Sequence, residues 1–143
     1  MSFVFSADGH IVEPPDLFSA NMPKSLAFHA IRGEVRGDYR CTVSGDKIIH
    51  RMRMRPGVEN TEARAMRQLP RGEKPARKAL GHNNIDGRLV DMKEEGIDAE
   101  IVFPSLGLWT YAIEDIEAEL ATCQIYNDWN AKFFAGHLDK FIR

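Results

Sequence analysis

Phe3-Val4-Phe5-Ser6-Ala7-Asp8-Gly9-His10 and Glu100-Ile101-Val102-Phe103-Pro104 are the two stretches on which the fold turns. Both are short, apolar and rich in aromatic or β-branched residues, and both end in polar or helix-breaking residues, as buried strands do. Between them, Asn83 or Asn84 is placed to cap a helix whose apolar face is Ile85, Leu89 and Met92 and whose end is Gly96. After the second strand, Ile116, Leu120, Cys123 and Tyr126 recur at helical spacing, as do Ile125, Trp129 and Phe133. This predicts a long helix from about Glu114 to His137. Phe141-Ile142-Arg143 then reads as the start of a further strand.

Strands that alternate with helices imply a parallel sheet, and a parallel sheet needs cover on both faces. Two core strands and two main helices cannot provide it. The expected fold is therefore α/β, the N-terminal part of a (β/α)8 TIM-like barrel, which as a whole takes about 250 residues. The 143 residues divide into three parts of one incomplete domain. Residues 1–20 hold the first strand and its polar end, 36–82 an excursion, and 83–143 helix, strand and helix. Within the excursion, Tyr39–Val43 and Lys47–Arg51 flank Ser44-Gly45-Asp46, a hairpin whose glycine suits a positive φ. The hairpin is expected to project from the body. Pro14-Pro15 ends regular structure after the first strand, and a short helical turn starts near Leu17.

Charge is unevenly spread along a chain of formal net charge −2. Residues 51–78 carry nine Lys/Arg against three Glu, and residues 79–120 carry two against ten acidic residues. The basic run contains no aromatic residue and is broken by Pro56-Gly57, Pro70, Gly72 and Pro75, so it offers no base-stacking platform and no long basic helix. Nucleic acid is not an expected partner. No stretch approaches the roughly 20 apolar residues of a membrane helix, and the N-terminus lacks the pattern of a secretory signal. Cys41 and Cys123 have neither metal-type spacing nor disulfide density. The expectation is a reducing, cytoplasmic setting.

Chemistry concentrates at the end of the first strand. Asp8 and His10 are two positions apart, and alternate residues of a strand share a face, so a carboxylate and an imidazole can meet at one cation. Both donor types suit Zn²⁺ or Mn²⁺. Active sites of barrels form at the C-terminal ends of their strands. Glu13 is a candidate carboxylate for holding a metal-bound imidazole from behind. His29, His50, His82 and His137 follow no core strand and are expected to play no ligand role.

The stretch Ser6 to Phe18, with its Asp8-Gly9-His10 and Pro14-Pro15, resembles the opening motif of the amidohydrolase-2 family. Arg88 to Ser105 and Tyr126 to Phe141 are similar to that family's following segments. The resemblance implies that Asp8 and His10 are the first two metal ligands, with Trp109 and Tyr111 lining a substrate pocket. It implies a metal-dependent enzyme that hydrolyses or non-oxidatively decarboxylates a small, in some members aromatic, carboxylic substrate. The family's later His and Asp ligands and its general base have no counterpart here, so the catalytic residue is unknown. The divalent metal is expected only with the complete barrel, and the 143 residues alone are expected to be inactive. The partners then are a small-molecule substrate and the rest of the barrel or further copies of the chain. The alternative is a non-catalytic interaction domain that uses the basic segment 51–78, Arg51, Arg53 and Arg55 included.

Overall fold

The computed structural model describes residues 2–54 and 80–143. Most of the basic segment lies outside the described residues, including Glu62 to Arg67, where the sequence predicts one helical turn.

Strand β1 (Phe5–Ile11) pairs in parallel with a strand at Ala99–Pro104, which pairs in parallel with a short strand at Phe141–Ile142. The strand expected at the end of the chain is therefore present. The two core strands lie side by side, as their composition implied. Register along β1 slips by one residue between Ser6 and Gly9, a bulge that re-aims the side chains at the strand's polar end.

A second sheet is antiparallel: β2 (Arg32–Arg36), β3 (Tyr39–Ser44) and β4 (Lys47–Arg53). Gly45 has φ +57° in the β3–β4 turn, as expected. The third strand, β2, was not legible. Its Arg-Gly-Glu-Val-Arg holds one large apolar residue, and its pairing to β3 supplies what its composition does not. The sheet does not project freely. Lys47 Nζ meets Glu114 Oε1 at 2.9 Å, His50 stacks on Trp109, and Ile31 beside β2 is buried in the body's core. With the strand at Ala99–Pro104 labelled β5 and that at Phe141–Ile142 labelled β6, the described residues form a mixed α/β fold of two three-stranded sheets.

Helix α1 is Leu17–Asn21, α2 is Ile85–Glu95 and α3 is Ile116–Phe133. The Asn84 side chain accepts from Gly87 N–H at 2.8 Å, and Gly96 closes α2 with φ +70°. Met92, with Ile85 and Leu89 beside it, packs on Ile11, Val102, Phe134 and Phe141. Each such buried side chain contributes about 1.5–3 kcal/mol relative to exposure.

The apolar stripe expected at the start of α3 faces the other way. Ile116 and Leu120 are exposed, while Ala118 and Thr122 are buried. Ala118 packs with Leu17, Phe18 and Ile31, where only a small residue lets the helices approach. Thr122 tolerates burial because its hydroxyl donates to Ala118 O at 2.7 Å. The second stripe, Ile125, Trp129 and Phe133, does pack inward.

Helices therefore cover one face of the parallel sheet, the face of Gly9, Ile11, Glu100 and Val102. On the other, Phe5, His10, Phe103 and Ile142 are exposed.

Candidate metal and substrate site

At the end of β1 the bulge and the pleat bring Asp8 and His10 together, with His10 Nε2 3.7 Å from Asp8 Oδ1. The other ring nitrogen, Nδ1, lies 2.9 Å from Pro104 O at the end of β5. A carbonyl oxygen only accepts, so Nδ1 carries a hydrogen and Nε2 is the ring nitrogen turned to Asp8. Metal-ligating histidines are held in this way. A tetrahedral ion with bonds of about 2.0–2.1 Å sets two donors roughly 3.3 Å apart. The Asp8 side chain is 94% exposed, so a small rotation closes the difference. Among the described residues no group of three or more His, Cys, Asp or Glu could hold a metal ion.

Behind the pair sits an ion pair that composition did not reveal. Arg88 of α2 donates through Nε to Glu100 of β5, and both side chains are buried. Its Nη1 donates to His10 O at 2.8 Å and to Gly81 O at 3.1 Å. One guanidinium thus fixes the backbone of the metal motif against the neighbouring strand. A charged residue in the apolar run Glu100-Ile101-Val102-Phe103 was the signal, because a buried carboxylate needs a partner. Gly9 is required by this arrangement rather than by an unusual φ. A Cβ there would lie 2.8 Å from Glu100 Oε2, 2.8 Å from Ile101 O and 2.9 Å from Arg88 Nη2.

Glu13 is buried, and its hydrogen bonds run to the β5 loop, none to the His10 ring. Leu106 N–H donates to Oε2 at 2.8 Å and Gly107 N–H to Oε1 at 2.8 Å, while Ser105 N–H lies 3.2–3.3 Å from both oxygens. Its carboxylate joins the loop after β1 to the one after β5. Its charge also acts on Tyr126. Burial, chiefly, and Glu13 raise the Tyr126 phenol to about 12, against the lowering effect of the hydrogen bond from Asn130.

Trp109 and Tyr111 both lie on the 3₁₀ turn Gly107–Ala112 that Glu13 anchors, with ring centroids 6.1 Å apart. The Tyr111 side chain projects into solvent, whereas Trp109 packs against the core of Leu17, Phe18 and Ile31. The structure therefore brings Asp8 to His10, and Trp109 to Tyr111, at loops that Glu13 connects.

No protein-family model matches the sequence, and no curated protein matches it. Among solved structures, an amidohydrolase from Mycobacterium avium subsp. paratuberculosis K-10 superimposes over 99% of this chain with a TM-score of 0.68 and 23% identity. This chain covers 42% of that protein's length. The likeness establishes a shared fold: the two sheets and their helices are an arrangement that an amidohydrolase also has.

Proposed function

We propose that this chain is the N-terminal part of a (β/α)8 barrel enzyme of the amidohydrolase type, close to its amidohydrolase-2 branch. In this reading Asp8 and His10 are its first two metal ligands. The observation that carries the proposal is the His10 ring, fixed by Pro104 O with its free nitrogen turned to Asp8. The bare sheet face and the 42% coverage support a barrel whose other strands lie elsewhere in a longer polypeptide or in a partner.

A bound Zn²⁺ or Mn²⁺ would supply Lewis acidity for hydrolysis or non-oxidative decarboxylation of a small carboxylic substrate. Asp8 contributes negative charge to the ion and His10 a neutral nitrogen. Arg88 holds the His10 carbonyl so that the imidazole keeps its direction. Trp109 and Tyr111 line the substrate side, and Glu13 holds their loop in place. Two ligands leave an ion largely hydrated, so these 143 residues alone bind metal weakly and do not turn substrate over.

Mn²⁺ titration followed by NMR tests this, because paramagnetic broadening detects weak binding. Selective broadening of signals around Asp8, His10 and Pro104, lost in Asp8→Ala and in His10→Ala, is expected. Broadening that is unselective, or that survives both substitutions, overturns the reading.

A further inference from the structure

His50 belongs to β4, within the excursion rather than the parallel sheet. Its imidazole stacks on the Trp109 indole with centroids 4.9 Å apart and planes 23° from parallel. Residues 59 positions apart in sequence meet here, one on β4 and the other on the 3₁₀ turn after β5. Lys47, three residues earlier on β4, reaches Glu114 just beyond the same 3₁₀ turn, so β4 is clasped to this segment at two points. The imidazole plane is thereby fixed, yet among the described residues neither ring nitrogen of His50 has a hydrogen-bond or ion-pair partner. His50 is exposed, so the edge of the stacked ring is open to a ligand and its N–H is an available donor.

We propose that His50 is a ligand-contacting residue, delivered to the substrate site by the antiparallel sheet. Stacking on Trp109 holds the ring, and its N–H donates to an anionic group on a flat ligand that lies against Trp109 and Tyr111. The antiparallel sheet thus acts as a specificity element. Its contribution is selection for a carboxylate over a neutral isostere, because a hydrogen bond to a charged acceptor is worth more than one to a neutral acceptor. The inference rests on the reading of these strand-end loops as the substrate side, but not on metal binding.

The test uses benzoate and its neutral isostere benzamide as probes, with the indole N–H resonance of Trp109 as the reporter, assigned through Trp109→Phe. The wild-type chain is expected to give a saturable shift with benzoate and a weaker one with benzamide. His50→Phe keeps a flat ring on the indole and removes the donor. It is expected to weaken benzoate roughly tenfold or more, leave benzamide unchanged and preserve the urea midpoint. His50→Gln, which restores a donor, should recover part of the preference. The inference falls if benzoate gives no saturable shift, or if His50→Phe binds benzoate as the wild type does. Mn²⁺ is left out of this titration, so a failed metal titration removes the metal-enzyme reading while a His50-dependent preference for benzoate still stands.

Discussion

Arg88 Nη1 donates to the carbonyl oxygen of His10 at 2.8 Å, across 78 positions of sequence. Through that bond and the pair with Glu100, helix α2 fixes the strand end from which both candidate ligands project. The geometry of the motif therefore depends on a charge pair buried beneath it.

Glu100→Gln leaves the Arg88 guanidinium buried without its counter-charge. Breaking such a pair costs about 3–5 kcal/mol. The expected result is a matching fall in unfolding free energy in urea. Arg88→Lys should rescue little, since one ammonium cannot reproduce a planar fork directed at Glu100, His10 O and Gly81 O. A loss within 0.5 kcal/mol, about the effect of an ordinary surface substitution, would contradict the role assigned to the pair.

Gly9→Ala and Gly33→Ala should behave oppositely. At Gly9 a methyl group meets backbone and the ion pair at under 3 Å, so the strand or the pair must move. A cost of about 1–3 kcal/mol and perturbed Arg88 side-chain signals are expected. At Gly33 nothing lies within 4 Å and φ is not positive. Alanine there should be neutral or stabilise by about 0.4–1 kcal/mol, by restricting the unfolded chain. Thermal unfolding of the two variants in parallel decides the matter.

Glu13→Gln replaces one accepting oxygen with a donor that faces backbone N–H groups. A buried donor without an acceptor costs about 1–3 kcal/mol. Hydrogen exchange should rise at Leu106 and Gly107 more than in α2. Equal protection in variant and wild type would mean that the carboxylate does not hold this loop.

Tyr126 titrates near 12 in the folded chain, against an ordinary value of 10. Between those values the unfolded chain loses this proton while the folded one keeps it, so stability is intact below pH 10 and falls as pH rises toward 12. Absorbance of phenolate at alkaline pH should show one tyrosine ionising late. Tyr126→Phe should flatten that part of the stability curve, and an unchanged slope would refute the assignment.

The amino-acid order was sufficient for whatever depends on neighbours along the chain. The strand at Ala99–Pro104, the Asn84 cap, the Gly96 stop and the turn at Gly45 follow from local patterns, whereas the first strand, read as Phe3 to Ala7, is shifted to Phe5–Ile11 and leaves Phe3 and Val4 exposed. The approach of Asp8 to His10 also follows from a local pattern, because two-residue spacing on a strand fixes a common side. Only the tertiary structure decided the rest. β2 forms because β3 offers it hydrogen bonds, not because of its own composition. Ala118 and Thr122 lie inward while Ile116 and Leu120 lie outward because the closeness of α1 and α3 selects for size over hydrophobicity. Gly9 is a matter of space under Arg88 and Glu100, and Glu13 finds its acceptor role 92 to 94 positions away. His50 reaches Trp109 in the same manner. Contacts of this kind are set by how sheets and loops pack, and no periodicity along one strand or helix encodes them.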